Sequence, residues 1–395
     1  MSAAGAEFDP TTEDVRRDPH ALYRDLRARC PVAHTDAWGG FWAVTRRADI
    51  EAVVTDPEVF SSRFGIIVPR NPASGRRPPM HYDPPEHTVF RKAINPAFRK
   101  DHLGWLEPCV RVVAGDLIDR ALAAGTVDGF AGLASPLCGS VLVELLGIPY
   151  DLRDEAVAGA DAFEQAQFDF DGARVEQLNR MLYELCRQVV VARRRRPRPP
   201  ERDLVSGLLT VELDGVPIDD ETAAGSLRQI LVAGHGAPAL VLAAAIGHLA
   251  GDPELQQRLR CEPALVPAAV EELLRLYTPN QGFARTVQRD VELGGRTIPA
   301  GDVVTVPYTS ANRDEAVFDR PDDLVLGRPE HHLAFGYGVH LCPGSHVGRV
   351  QMRVALTELL ARTMSFTAAG EPSYAPFPVY GPRALPLRLV PAAQP

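Results

Sequence analysis

The segment from Phe335 to Gly344 constrains this chain more than any other stretch. It reads Phe-Gly-Tyr-Gly-Val-His-Leu-Cys-Pro-Gly, and an apolar run at helical spacing follows it from Val347 to Leu360. Glycine is needed where the backbone takes a positive φ or must approach a flat group closely. A helix N-terminus carries positive partial charge and free N–H groups, which favour a thiolate over a thiol. The segment therefore predicts a tight loop that presents the sulfur of Cys342 at the start of a helix.

A buried, inert cysteine in a glycine-rich turn is the alternative, and for an isolated cysteine it would be the better interpretation. A single thiolate in an apolar loop also suits one axial position of a haem iron. The ten residues resemble the haem-binding loop of the cytochrome P450 family, Phe-Gly-x-Gly-x-His-x-Cys-x-Gly, at every fixed position up to Gly344. The resemblance implies that Cys342 is the proximal ligand of haem b, iron protoporphyrin IX. It also implies that His340 contacts a haem propionate and that Phe335 packs beneath the ring near the sulfur.

Other stretches match the same family. His87 and Arg91 lie four residues apart, on one side of a helix that starts after two prolines. Alone they would be an ordinary surface pair. The surrounding text, Asp-Pro-Pro-Glu-His-Thr-x-x-Arg, resembles the family's, which implies that both residues clamp haem propionates. The resemblance of a later segment, Asn280–Thr286, implies that Arg285 is a third propionate contact. Arginine suits such bidentate contacts. Glu272 and Arg275 match the family's Glu-x-x-Arg signature, which implies a buried structural ion pair.

A long helix is predicted from Asp220 to Ala250, and the resemblance implies that its middle crosses the distal face of the haem. The family's usual text there is Ala-Gly-x-acid-Thr, in which the acid and the alcohol relay protons to bound oxygen. This chain has glycine where the acid belongs and alanine where the threonine belongs, followed by Pro238. The predicted catalytic residues of this segment are Ala233, Gly234, His235, Gly236 and Ala237.

The source of the proton stays open at this point. Pro238 lacks an N–H and predicts a kink that frees carbonyl groups for water or ligand. His235 has a side chain that titrates in the useful range. A hydroxyl or carboxyl group of the substrate is the third candidate.

The substrate pocket is expected to be largely apolar. By resemblance, the residues that line it are Gln229, Val232, Gln281, Phe283, Val379 and Tyr380. The two glutamines would orient one polar group of an apolar or aromatic ligand. The irregular segment 61–84 is predicted to be a lid that touches the substrate. Because arginine is mostly exposed in proteins, the arginines of this segment are expected to be solvated. They are Arg63, Arg70, Arg76 and Arg77.

Composition excludes some classes of function. The 395 residues carry a formal net charge of −9, which does not indicate a general nucleic-acid or membrane-surface role. The run Arg193–Arg196 is interpreted as a helix C-terminus rather than a nucleic-acid patch. The six cysteines show no metal-finger spacing and suggest a reducing cytosol. Residues 1–9 have no signal-like pattern, and Gln229–Ala250 is interpreted as a buried core helix rather than a membrane span. A cytoplasmic, monomeric protein is expected.

The predicted fold is mainly α with small β-sheets, and the resemblance implies the cytochrome P450 fold, a triangular prism of helices around a buried haem. One domain is expected over residues 1–395. The main helices are predicted over 19–30, 48–54, 103–124, 130–146, 154–167, 172–196, 220–250 and 347–360. Short strands are predicted at 41–45 and within 291–306.

The function implied is that of a soluble bacterial mono-oxygenase, which oxidises a small organic molecule with O2 and electrons from a ferredoxin and its reductase. A basic proximal face is expected to bind the ferredoxin. It would consist of Arg91, Lys92, Arg99, Lys100, Arg349 and Arg353. The alternatives are a peroxygenase, a coupling or desaturating enzyme, and a haem protein that binds ligands without turnover. A helical binding protein without haem would require the cysteine loop to be a coincidence.

Overall fold

Helices dominate the fold, and short strands lie between them. The structure is a computed structural model that describes residues 6–70 and 77–392. The helices are α1 Glu13–Arg17, α2 Pro19–Arg29, α3 Arg47–Thr55, α4 Glu86–Ile94, α5 Leu106–Ala124, α6 Ser135–Leu145, α7 Arg153–Phe168, α8 Gly172–Arg195, α9 Leu204–Leu208, α10 Asp220–Ala233, α11 Gly236–Gly251, α12 Pro253–Cys261, α13 Val266–Leu276, α14 Tyr308–Ala311 and α15 Ser345–Arg362. The strands are β1 Val32–Thr35, β2 Phe41–Val44, β3 Phe60–Ser61, β4 Thr126–Asp128, β5 Glu212–Leu213, β6 Val216–Pro217, β7 Ala284–Val287, β8 Val291–Leu293, β9 Arg296–Ile298, β10 Val303–Thr305, β11 Thr363–Ala368, β12 Ser373–Tyr374, β13 Pro382–Ala384 and β14 Pro386–Pro391. The predicted class, mainly α with small sheets, is confirmed.

The folded chain divides into two compact units. Over the described residues, one unit consists of 6–70, 271–342 and 374–381. We call it the loop unit because it contains residues 335–342 of the cysteine loop, the segment from Phe335 to Gly344. The other consists of 77–270, 343–373 and 382–392, and we call it the helical unit. The single domain expected from the sequence stays a prediction.

The loop unit is built on a five-stranded sheet with the order β1-β2-β10-β7-β3. Strand β1 pairs antiparallel with β2, and β10 pairs parallel with β2 and antiparallel with β7. One face of this sheet buries Trp42 and Val304 against Ile50 of α3. Burial of such apolar surface stabilises by roughly 25 cal/mol per Å². The sheet and α3 thereby form the support beside which the cysteine loop lies.

Arg275 and Glu272 form the buried ion pair that the resemblance implies. Arg275 is 1% exposed, and its Nε and Nη2 donate to the two carboxylate oxygens of Glu272 at 2.7 and 2.9 Å. Its remaining N–H groups donate to the carbonyl oxygens of Asn312, Pro321 and Asp323. One guanidinium therefore holds the irregular chain that leads to the cysteine loop.

The helical unit packs long helices face to face. Helix α5 packs against α15, α8 packs against both α7 and α10, and α11 packs against α6. The predicted helix over 130–146 starts as a π-helical turn, Gly129–Ala134, and continues as α6. Asp128 caps this turn by accepting hydrogen bonds from the N–H groups of Phe130 and Ala131. Apart from the helix predicted over 220–250, the predicted helices agree with the observed ones to within a few residues at each end.

The helix predicted over 220–250 is two helices. Helix α10 ends at Ala233, α11 begins at Gly236, and the break lies at Gly234-His235 rather than at Pro238. Pro238 lies in the first turn of α11 and has no N–H for the Gly234 carbonyl four residues earlier, so its effect appears one turn upstream. By length and composition the stretch Asp220–Gly251 could cross a membrane, but 67% of its most apolar window is buried.

The arginines predicted to be solvated behave differently from one another. Arg63 and Arg70 are exposed, and Arg76 lies outside the described residues. Arg77 is only 8% exposed, so the prediction is wrong for this residue. In the run at the end of α8, Arg193 is also buried and pairs with Asp203, so its charge is met by a carboxylate as well as by the helix dipole.

Candidate haem site and distal cluster

The cysteine loop is a tight turn that is closed by the backbone. The Cys342 N–H donates to the Phe335 carbonyl oxygen at 2.8 Å, and Gly336 and Gly338 have φ of 75° and 69°. A β-carbon at residue 338 would lie 2.6 Å from the Val54 carbonyl oxygen of α3, so both the φ and the close approach require glycine there. Helix α15 starts three residues after the cysteine, as the sequence predicts.

Cys342 is chemically available in this loop. All six cysteines lie within the described residues and none forms a disulfide there; Cys342 is partly exposed, whereas Cys138 and Cys186 are buried. Burial raises the pKa of the Cys138 thiol to about 12, which keeps it protonated and inert. Cys342 is therefore partly accessible, and it lies three residues before the first residue of α15, where a metal ligand of this loop would be expected.

The loop unit also contains two of the predicted propionate contacts. Arg285 lies on β7, is 5% exposed, and donates through Nη1 to the Ala284 carbonyl oxygen at 2.8 Å. The Nε2 atom of His340 lies 3.1 Å from the hydroxyl oxygen of Ser62. Their roles toward a propionate stay predictions.

Four of the predicted pocket residues belong to the loop unit, and their side chains are well packed. The Gln281 amide donates to the Val379 carbonyl oxygen at 2.9 Å and accepts from the Tyr23 hydroxyl at 3.2 Å. Tyr380 stacks on Tyr374 with ring centroids 5.5 Å apart. The Phe283 ring packs against Tyr308. Since the amide of Gln281 already has protein partners at both ends, its observed contacts hold the chain around residue 379.

The helical unit contains the remaining predicted residues. His87 is buried and Arg91 partly buried, and both lie on α4, as the sequence predicts. Gln229 and Val232 are buried on α10, 6% and 7% exposed. Ala233 ends α10, and Gly234, His235, Gly236 and Ala237 form the break and the start of α11. Gly344 immediately precedes α15.

A carboxyl group from another helix occupies the place of the missing acid. A β-carbon at residue 236 would lie 1.7 Å from Oε1 of Glu164 on α7. The side chain of Glu164 therefore fills the space in which a side chain at residue 236 would begin. Burial raises the pKa of Glu164 to about 8; nearby Asp161 raises it further and Arg383 opposes both. Sequence reasoning missed Glu164, because nothing in the text of α7 shows which residue of another helix it faces.

His235 belongs to the same cluster. Its Nε2 lies 3.1 Å from the Ser135 hydroxyl oxygen, which in turn donates to Asp161 Oδ2 at 3.1 Å. Its Nδ1 lies 3.7 Å from Asp161 Oδ1. Burial lowers the pKa of His235 although Asp161 opposes the shift, so the ring is neutral at pH 7. Ligand-type atoms of Asp161, Glu164 and His235 all lie within 4.8 Å of one another.

Comparison with known proteins identifies the class of this fold and site. A family model described as Cytochrome P450 matches residues 170–367. The nocardicin C N-oxygenase of Nocardia uniformis subsp. tsuyamanensis is 35% identical over 95% of this chain and 96% of its own length. The cyclomarin C epoxidase CymV of Salinispora arenicola is 31% identical over 94% of this chain and 96% of its own. A solved cytochrome P450 from Chondromyces apiculatus matches with a TM-score of 0.87 and 31% identity over 98% of this chain and 99% of that one.

The chain belongs to the cytochrome P450 family. It is a bacterial haem-thiolate mono-oxygenase with the cytochrome P450 fold and haem b as its cofactor. The residues present fit that group: a partly exposed cysteine lies in a glycine-shaped loop shortly before a helix, and the buried guanidinium of Arg285 suits a carboxylate. The predictions of family, fold, enzyme class and cofactor are confirmed.

Proposed function

We propose that this chain is a cytoplasmic, monomeric enzyme that inserts one oxygen atom of O2 into a small, largely apolar or aromatic molecule of secondary metabolism. The observation that carries the proposal is the cysteine loop, closed from Phe335 to Cys342 and followed by α15. The names of the relatives, an N-oxygenase and an epoxidase, support oxygen transfer in general and leave the substrate open.

The cofactor, when bound, supplies the oxygen activation, and the chain supplies position, dryness and protons. Cys342 would supply the thiolate that holds the haem iron. His87, Arg91, Arg285 and His340 would bind the two propionates. Val232 on α10 and Phe283 would contribute apolar wall, and Gln229 an amide, to the substrate pocket.

The proton donor that the sequence leaves open is, in this proposal, Glu164. Its carboxyl group takes the place of the acid that residue 236 lacks, and its raised pKa means that it holds a proton at neutral pH. A group with a pKa near the working pH is suited to give up a proton and regain it. Asp161 and Ser135 hold His235 beside it, which places a neutral imidazole where the proton of Glu164 can be replaced. An acid at this place favours O2 over peroxide as the oxidant.

A ferredoxin is the proposed electron donor, and basic residues of the helical unit support it. Burial and the charges of Lys100, Arg349 and Arg353 together lower the pKa of His346, so these three cations lie around one histidine at the start of α15. Glu107 neutralises part of this charge through its contact with Arg353 at 2.6 Å. The cluster is a local positive surface on an acidic protein.

The axial ligand is tested by absorption spectroscopy of the haem-loaded protein. The reduced, CO-bound protein should absorb at the thiolate position, and Cys342→His should move the band to the imidazole position. Cys261→Ala, which removes an exposed cysteine, is the matched control and should leave the band unchanged. An unaltered thiolate band in Cys342→Ala would overturn the assignment.

A further inference from the structure

The helical unit buries an arginine whose hydrogen bonds are not met. Arg228 lies on α10 and is 0% exposed. None of its three side-chain nitrogen atoms has a hydrogen-bond partner among the residues that the structure describes. A guanidinium has five N–H donors, and leaving them unpaired away from water is costly. Arg275, which is equally buried, has the carboxylate of Glu272, so the chain does supply an anion where it needs a purely structural arginine.

Two aromatic rings lie close to this guanidinium. Its central carbon lies 4.3 Å from the ring centroid of Phe163 on α7 and 5.8 Å from that of Tyr183 on α8. Cation–π contacts of this kind hold the plane of the guanidinium in place. A cation–π contact takes the place of none of the five N–H donors, so they stay available for oxygen atoms. The rings therefore position Arg228 as a fork without occupying it.

A second buried arginine acts on the first. Arg77 is 8% exposed, and its charge contributes, after burial, to lowering the pKa of Arg228 to about 9. Burial lowers the pKa of Arg77 itself to about 10. The Nε of Arg77 likewise lacks a hydrogen-bond partner within the described ranges. Two cations repel each other in a low-dielectric interior. A single anion bound between them would lower the energetic cost of burying both.

The surroundings connect this pair to the proposed pocket. Gln229 follows Arg228 directly, and its side-chain oxygen has no partner in the part of the chain that the structure describes. Val232 lies one turn further along α10, at the i+4 position from Arg228. Both residues are predicted to touch the substrate, and Arg77 belongs to the segment predicted to cover it. An anionic group at the two arginines would thus leave its hydrocarbon beside Gln229 and Val232.

We propose that Arg228 and Arg77 bind a carboxylate group of the substrate, so that the enzyme acts on apolar or aromatic organic acids. The proposal rests on the proposed function, because it takes the pocket along α10 to be the substrate site. The planar fork of an arginine matches the two oxygens of a carboxylate, and such charge-assisted bonds are the strong ones. Removal of the fork should weaken binding of an acid about 10- to 100-fold.

The test compares acids with their own neutral amides on the haem-loaded protein. The probes are acetate, phenylacetate, 4-phenylbutyrate and decanoate, each beside the matching amide, at constant ionic strength. We measure the shift of the unfolding midpoint and of the haem absorption band. At least one acid should bind more than ten-fold tighter than its amide. The preference should vanish in Arg228→Met, weaken in Arg77→Met and be partly restored in Arg228→Lys.

Arg174→Met, which removes an exposed arginine from α8, is the control and should keep the preference. Equal binding of every acid and its amide, or a preference that survives Arg228→Met, would overturn the proposal. Without ligand, Arg228→Met should be at least as stable as the parent protein, because it removes an unpaired buried charge. A large loss of stability in that variant would instead assign Arg228 a structural role. The CO spectrum of the same samples distinguishes failure of the carboxylate site from failure of the proposed function. A thiolate band without a preference for acids rejects the carboxylate site alone.

Discussion

At residue 236 an acid is missing from one helix and a carboxyl group from another helix stands in its place. The two observations are linked because both groups would need the same space: a β-carbon at residue 236 would lie 1.7 Å from Oε1 of Glu164. The Glu164 side chain can therefore lie where it does only because residue 236 has no side chain. Burial at this position raises the pKa of Glu164; Arg383 opposes the rise and Asp161 adds to it.

Restoring the acid at residue 236 should therefore harm the protein. Gly236→Asp forces a side chain into the space of Glu164 and brings two carboxyl groups together, and overpacking of this kind costs about 1–3 kcal/mol. We expect a lower unfolding midpoint and weaker haem retention. Glu164→Ala added to Gly236→Asp should recover most of the loss, because it empties the space. If the second change recovers nothing, the two positions do not substitute for each other.

The raised pKa of Glu164 predicts how the stability of the folded protein depends on pH. The pKa of Glu164 is raised from an ordinary 4.5 to about 8, so between these values the folded protein holds a proton that the unfolded chain has released. Stability should fall as pH rises through this window, by up to about 1.4 kcal/mol per pH unit for one proton, and then level off. Glu164→Gln should remove this fall, as followed by denaturant unfolding at pH 5 to 9.

The control for the pH series is Glu155→Gln, which changes an exposed carboxylate on the same helix. It should keep the parent slope. Asp161, His235 and Arg383 lie near the side chain of residue 164 and are retained in both variants. Metal analysis of the same samples adds a second check. A divalent ion bound in addition to the haem iron, and lost in Glu164→Gln, would contradict the role of proton donor.

At the scale of elements, the fold uses side chains to hold pieces that have no regular structure. Residues 312–323 lie between α14 and the cysteine loop with little secondary structure, and Arg275 on α13 binds three of their carbonyl groups. The carboxylate of Glu272 also accepts from the Val325 N–H and from Arg328 at 2.8 and 2.9 Å. One ion pair thus organises the approach to the haem loop.

Breaking the Glu272–Arg275 ion pair should strongly destabilise the folded protein. Arg275→Met leaves the buried Glu272 carboxylate without its main partner, and loss of one member of a buried pair costs about 3–5 kcal/mol. We expect a clearly lower unfolding midpoint and poor haem retention. Arg258→Met removes one member of an exposed pair with Glu262 and should cost at most about 1 kcal/mol. Equal effects of the two substitutions would contradict the assigned role of Arg275.

At the scale of the whole molecule, the charge is unevenly placed. The chain carries −9 overall, yet Lys100, Arg349 and Arg353 gather around His346 beside the helix that follows the cysteine loop. Such a positive surface steers an acidic partner during diffusion, and added salt screens the attraction. The proposal of a ferredoxin as electron donor rests on this placement.

Charge reversal should weaken reduction by an acidic ferredoxin. Lys100→Glu with Arg353→Glu should lower the second-order rate of reduction about ten-fold or more at low salt, and should flatten its dependence on ionic strength. Arg174→Glu, on α8, is the control and should keep the parent salt dependence. A rate of the parent protein that does not change with salt would contradict steering by this surface.

The sequence by itself determined the family, the cofactor and most helix boundaries. The cysteine loop could be recognised from the sequence because the tight turn requires positive φ values at Gly336 and Gly338. That requirement comes from the neighbouring residues of the same loop. The Glu272–Arg275 pair was predictable for the same reason, since i and i+3 meet on any helix. Periodicity predicted the long helices, because an apolar face repeats wherever the helix packs.

Only the tertiary structure decided which side chains gather beside Gly236, namely Asp161, Glu164 and His235, and which arginines are buried. Glu164 meets Gly236, and Phe163 and Tyr183 meet Arg228, across four different helices, and no spacing along the chain contains that information. Arg77 was expected in solvent because arginine usually lies there, yet packing in the helical unit buries it. Local rules determine where a helix begins and ends. The contacts between helices determine which charges lose their water, and those charges determine the chemistry of the site.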